Sequence, residues 1–305
     1  MKRWTRRPEG STWGDFGPDD EISRLNLLTE EKVLQAVREV RAGKVFCLSL
    51  PLDLPGGNVL NPRRHPPALA PTRRDGQPYL NFQMSRLQEG AVDVLSDDQA
   101  TLSLQYSTQW DGLSHVGALF DVQGDGQPGA CTTTAMPPAW TCWAAAILAP
   151  MPAARPAPRM RAGSASAATR KKACRAVACC WTWRAPSAPV RTPVGLAQLQ
   201  AAMHEQRVAV EPGDMLVLRT GFAEALVQMD GKPDAHRLEQ TGAVLDGADA
   251  ALLDWITDSG VAAICADNYA VEAYPARTSG PGHSILPLHH HCLFSWACRW
   301  PNSGT

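Results

Sequence analysis

The 305-residue chain is predicted to be a mixed α/β protein. Three observations predict it. A helical period over 30–42 passes into an apolar run at 45–50, and a second helical segment at 196–206 leads through a turn to a strand at 215–219. A third helix, 248–258, ends at Gly260 and is followed by the apolar strand 261–266. Helices and strands that alternate in this way build an α/β domain, with functional groups gathered at strand ends.

In chain order, residues 1–28 are polar and read as an extended arm anchored by Trp4, Trp13 and Phe16. Thr29 caps the first helix: Glu30 and Glu31 lie in its positive first turn, Val33, Leu34, Val37 and Val40 form its buried stripe, and Gly43 ends it. The stretch from Pro51 to Gln77 is dense in Pro and Gly and carries Arg63, Arg64, His65, Arg73 and Arg74. It is either a lid or substrate wall, or a solvated basic loop. Leu102 and Leu104 then alternate with Thr101, Ser103 and Gln105, the period of a half-buried strand. In the last third, the helix 196–206 precedes the turn Glu211-Pro212-Gly213-Asp214, and the helix 248–258 buries Leu252, Leu253 and Ile256. The strand at 261–266 opens onto Asp267-Asn268-Tyr269.

A formal net charge of -1 argues against a nucleic-acid or acidic-membrane partner. No apolar run reaches 18 residues, and the basic start Met1-Lys2-Arg3 is followed by no apolar core, so a cytoplasmic protein is expected. Of nine cysteines, only Cys47, Cys265 and Cys292 lie in well-patterned sequence, which speaks against a disulfide framework.

The chemistry concentrates after the central strand. Gln105, Gln109, Asp111 and His115 bring two amides, a carboxylate and an imidazole within eleven residues. Carboxylate oxygen and imidazole nitrogen are the donors that zinc or manganese takes, with a position left open for water. Asp111-Gly112 is equally a common turn dipeptide.

Thr108-Gln109-Trp110-Asp111-Gly112-Leu113-Ser114-His115 resembles the TQWDGLxH form of the signature of the cyclase family, metal-dependent hydrolases that include bacterial kynurenine formamidases. In the longer-known form, H-x-G-T-H-x-D-x-P-x-H, the Thr, Asp and last His fall on Thr108, Asp111 and His115. The two leading histidines fall on Gln105 and Gln109, the Gly on Ser107 and the Pro on Leu113. Two amides in place of two imidazoles weaken such a site for zinc. The resemblance extends from Trp13-Gly14, Asp19-Asp20-Glu21-Ile22 and Leu25-Asn26-Leu27-Leu28 to Leu286-Pro287-Leu288-His289. It implies a single domain over 1–305 of the swivelling β/β/α type, a divalent metal (zinc or manganese), and a homo-oligomer acting on a small molecule.

It further implies that Asp111 and His289 hold the metal, with Gln109 and Gln105 as weaker ligands or outer donors. His290 and His291 compete with His289, and the triplet is otherwise a solvated loop or a tag-like remnant. Glu272 stands where the family often carries an acid, as ligand or as structure. His115 would carry the proton, an imidazole's ordinary pKa of ~6.5 suiting that task. The implied reaction is hydrolysis of an amide or ester in a small aromatic molecule, with N-formylkynurenine of tryptophan catabolism as the best-known substrate. A catalytically impaired member, or a lyase or dehydratase on the same scaffold, is the alternative.

Between Cys131 and Val190 neither period holds, and Cys179-Cys180 sits beside Trp181 and Trp183 in an Arg-rich run. Taking each codon's third base with the first two of the next, Cys174 to Trp183 admits P-G-R-G-V-L-L-D-L, and Cys131 to Trp143 admits H-Y-N-G-Y-A-A-G-V-D-V-L. Both resemble family segments. The same offset over Ser295 to Ser303 admits L-G-V-P-L-A-E-L, whose Glu would complete the family's metal site. A frame change near residue 130, a compensating one near 190 and another near 295 are therefore expected. Residues 131–190 are expected to be expelled from the fold as loop.

Overall fold

The computed structural model describes residues 4–18, 20, 22–44, 47–113, 115–132, 178–182, 191–278, 280 and 282–295. The chain divides into two compact units, one of residues 1–45, 111–222 and 240–305 and the other of 46–110 and 223–239.

The smaller unit is built of short antiparallel pairs: β1 (Ala68–Pro71) with β6 (Asp98–Thr101), β2 (Arg73–Arg74) with β3 (Gln77–Pro78), and β4 (Phe82–Gln83) with β5 (Val94–Leu95). The Pro-rich stretch thus contains strands. The strand expected over 101–105 instead ends at Thr101, and Leu102 and Leu104 are exposed. Its ladder begins at the pair Ala68↔Thr101, and the residues before Ala68 are Pro66 and Pro67, which have no N–H with which to extend it. The strand expected at 45–50 does not form over Cys47–Leu50, where the Leu50 N–H donates to Thr108 Oγ1. Val45 and Phe46 lie outside the described residues.

The larger unit holds the main core. Its central strand β11 (Met215–Arg219) runs parallel to β13 (Ala263–Ala266) on one side and β9 (Ala178–Thr182) on the other. A second parallel pair joins β10 (Thr192–Val194) to β12 (Ala243–Leu245). The helices Leu196–Glu205 and Ala250–Asp258 bury Leu199, Leu252 and Ile256 against Leu216, Val194 and Leu245. The α/β class is therefore observed, with helices and strands alternating along this unit. The predicted expulsion of 131–190 is corrected at two places: Cys131 closes β8 (Gly129–Cys131), paired with β7 (Ala118–Phe120), and 178–182 form β9. Backbone pairing along β11 needs no particular side chains, so an unpatterned segment can supply it. Residues 133–177 and 183–190, with most of the recoded segments, lie outside the described residues, as does the tail after Ser295.

Two further expectations are corrected. The first helix spans Glu30–Arg38, with Thr29 as its cap, and buries no apolar stripe: Leu34, Val37 and Val40 are 56–69% exposed. Its docking face is polar, Lys32 Nζ lying 2.8 Å from Asp214 Oδ1 and 3.1 Å from Glu211 Oε2. In the arm, Trp4 and Trp13 are buried anchors but Phe16 is exposed. Trp13 packs edge-on against Phe120 and Phe294 and donates from Nε1 to the Phe294 carbonyl. Arg24 is buried and donates to the carbonyls of Ile256, Thr257 and Val261, placing a cation on the negative end of the helix Ala250–Asp258.

Candidate metal centre

Asp111 and His115 flank a tight turn closed by a hydrogen bond from the His115 N–H to the Gly112 carbonyl. Four residues apart, they bring Asp111 Oδ1 to 3.9 Å from His115 Nε2. The chain then passes through Gly117 into β7. A side chain at Gly117 would strike the Cys131 carbonyl oxygen at 2.2 Å, so the close approach of β8 requires glycine here.

The other half comes from the opposite end of the unit. After β13, Asn268 turns the chain: its Oδ1 accepts from the Val271 N–H and its Nδ2 donates to the Ala243 carbonyl. Val271 has φ 58, a left-handed conformation that a β-branched residue rarely adopts. The turn delivers Glu272 beside Leu245, fully buried. Its carboxylate accepts three hydrogen bonds, from the Leu288 N–H (2.9 Å), the His289 N–H (2.8 Å) and His289 Nδ1 (2.6 Å). With Nδ1–H committed to Glu272, His289 presents Nε2 to Asp111 Oδ2 at 3.7 Å. The His115 and His289 rings lie 6.5 Å apart, centroid to centroid.

Asp111, His115, His289 and Glu272 are thus brought together, one carboxylate between two imidazoles and a second carboxylate behind. Burial opposes charge on His289, but Asp111 and the hydrogen bond to Glu272 outweigh it and push the imidazole up to about 9. The other two histidines of the triplet face elsewhere. His290 stacks at a tilt on Phe294, its pKa lowered by burial. His291 is hydrogen-bonded to Thr257 Oγ1 at 2.9 Å, and burial, with the Arg24 charge adding to it, pushes it down to about 4. The triplet is therefore neither a solvated loop nor a tag-like tail: it forms helix from Pro287 to Ser295. Gln105 and Gln109 belong to the smaller unit, where the Gln105 carbonyl accepts from Arg64 Nη1.

The donor chemistry fits a divalent ion. Metal-ligating histidines characteristically give the second ring N–H to a carboxylate, the arrangement of Glu272 behind His289. Tetrahedral ligands at ~2.0–2.1 Å from zinc lie roughly 3.3 Å from each other, a few tenths closer than Asp111 and His289 stand. Among the described residues no group of three His, Cys, Asp or Glu side chains forms a ready cage. Gly247, which the sequence does not single out, lies against the same carboxylate: a side chain there would lie 2.2 Å from Glu272 Oε2.

Residues 47–273 match the family model described as putative cyclase. The fold is similar to a crystal structure of a novel cyclase, at TM-score 0.64 and 23% identity, covering 94% of this chain and 84% of that one. A comparison with isatin hydrolase A from Ralstonia solanacearum gives TM-score 0.39 and 11% identity over 82% of this chain and 76% of that one. Among curated proteins nothing matches. No helix among the described residues is long and apolar enough to cross a membrane.

Proposed function

The chain belongs to the putative cyclase family, and from that premise we propose that it is a metal-dependent hydrolase cleaving an amide or ester bond in a small aromatic molecule. The observation that carries the reading is the Asp111 carboxylate set between His289 and His115, with Glu272 bonded behind His289.

Asp111 and His289 would hold the ion. When bound, a divalent ion supplies a Lewis acid for the substrate carbonyl and lowers the pKa of a water toward ~7. Glu272 keeps the Nδ1 proton of His289 in place, so that only Nε2 faces inward. His115, with its side chain 26% accessible, stands at the open edge of the group. In this reading it takes a proton from water and delivers it to the departing nitrogen or oxygen. Asp111 Oδ1 lies 3.9 Å from the Nε2 of that imidazole.

The experiment loads the protein with zinc or manganese and measures hydrolysis of N-formylkynurenine and of simple aryl esters, beside Asp111→Asn. One bound ion and hydrolysis lost in the variant support the reading. Gln105 and Gln109, standing where the family has imidazoles, favour a second reading, a catalytically impaired member. Absence of both bound ion and hydrolysis in the unaltered chain would select it.

A further inference from the structure

We infer that Gly247 is a positioning residue: having no side chain, it lets the Glu272 carboxylate lie where it fixes His289 with Nδ1 protonated and Nε2 turned to Asp111. The inference deepens the hydrolase reading and rests on it only where it concerns the ion.

Glu272 is pinned from every side. Its backbone is tied to β12, the Leu245 N–H donating to the Val271 carbonyl and the Ala273 N–H to the Leu245 carbonyl. Two residues beyond Leu245, Gly247 lies against the carboxylate. A Cβ there would stand 2.2 Å from Glu272 Oε2, 2.9 Å from Pro287 Cγ and 3.0 Å from the Leu288 nitrogen. None of these neighbours can easily yield. Oε2 is held by the Leu288 N–H, Pro287 is a rigid ring at the first position of its helix, and the Leu288 nitrogen is backbone. Ordinary contact begins near 3.4 Å, so a methyl group must drive the carboxylate or the helix start back by about 1 Å. A displacement of that size breaks the 2.8 and 2.6 Å bonds to the His289 N–H and Nδ1. Freed from Glu272, the imidazole can take either tautomer, and in one of them Nε2 carries the proton and cannot bind an ion.

The test reads the tautomer directly, by 15N chemical shifts of the His289 ring in metal-free protein at a pH where the ring is neutral. Four proteins are compared: unaltered, Gly247→Ala, Glu272→Ala and the double variant. The unaltered ring is expected to be protonated at Nδ1, and both single variants to show mixed tautomers with faster amide exchange at Leu288 and His289. Because Gly247 acts through Glu272, the double variant should match Glu272→Ala, with no added effect. Zinc affinity should fall ~10–100-fold in each variant. An unaltered tautomer in Gly247→Ala, or a further change in the double variant, overturns the inference. If Gly247→Ala does not fold, Glu272→Ala alone decides: a ring still protonated at Nδ1 refutes the positioning role. Failure of the unaltered chain to bind zinc overturns the hydrolase reading, and the tautomer measurement still decides the role of Gly247.

Discussion

Ion uptake by this chain should depend steeply on pH between 7 and 9. His289 is pushed up to about 9 by Asp111 and Glu272, against its burial, so at pH 7 roughly 99% of metal-free molecules carry the imidazole proton. An ion that takes Nε2 must expel that proton. The apparent affinity at pH 7 is therefore lower by ~100-fold, about 2.7 kcal/mol, than above pH 9, and rises tenfold per pH unit between. Titration calorimetry in buffers of different ionisation enthalpy should show close to one proton released per ion at pH 7 and none near pH 10. The metal-free fold has the opposite sign. A folded-state value raised from 6.5 to about 9 contributes stability that is complete below pH 6.5 and lost as pH rises through 9, roughly 3 kcal/mol in all. His291, pushed down to about 4, acts on the acid side, where stability falls as pH drops from 6.5 toward 4. Metal-free protein should thus be most stable near pH 6.5, and metal-saturated protein should not weaken toward pH 9. A pH-independent affinity with no proton release would refute the placement of His289 as the ligand.

Asp111→Asn should abolish stoichiometric binding with secondary structure retained, since Asp111 is the charged donor facing both imidazoles; elemental analysis and circular dichroism check both parts. His115→Ala should lower turnover ~10²–10⁴-fold with the ion retained, and loss of the ion together with the rate would make His115 a ligand. Lys32→Met should cost ~3 kcal/mol in urea unfolding, because it leaves the Asp214 carboxylate, 3% accessible, without its ammonium partner.

The parts of the fold legible in the sequence are those with a strict period and clear stop signals. The strand Met215–Arg219 and the helix ends at Gly260 and Glu205 fall at or within a residue or two of where periodicity and turn chemistry place them. Where a period is present but partners decide, the reading fails. Leu34 and Val37 repeat at helical spacing, yet the ion pairs of Lys32 dock the helix by its polar face. Leu102 and Leu104 alternate, yet Pro66 and Pro67 leave them nothing to pair with. In the candidate site, Asp111, His115, His289 and Glu272 are legible as chemistry. That Glu272 bonds His289 from behind is not, because it depends on the turn at Val271 and the missing side chain of Gly247.

The segment that no period describes leads to the final prediction. β9 pairs Cys179 with Leu216 and Trp181 with Leu218, placing residues 178–182 against the central strand of the sheet. Read in the offset register, the codons of these same residues admit Val-Leu-Leu-Asp, so a place where the fold forms a strand is one where the alternative frame encodes a strand. Parallel strands covered on both faces are runs of branched aliphatic residues, because each side chain meets a packed layer. Val-Leu-Leu would contribute ~1.5–3 kcal/mol per buried side chain, which is large against a net stability of ~5–15 kcal/mol. Restoring the frame across 131–190 should therefore raise the urea midpoint, and restoring it after Ser295 should add the Glu that the offset register admits there. The comparison is between the chain as written and the doubly restored one, by cooperative unfolding, ion stoichiometry and formamide hydrolysis. If the written chain unfolds as cooperatively and binds its ion as fully as the restored one, residues 131–190 are a true part of the protein, and the match between β9 and the offset codons is coincidence.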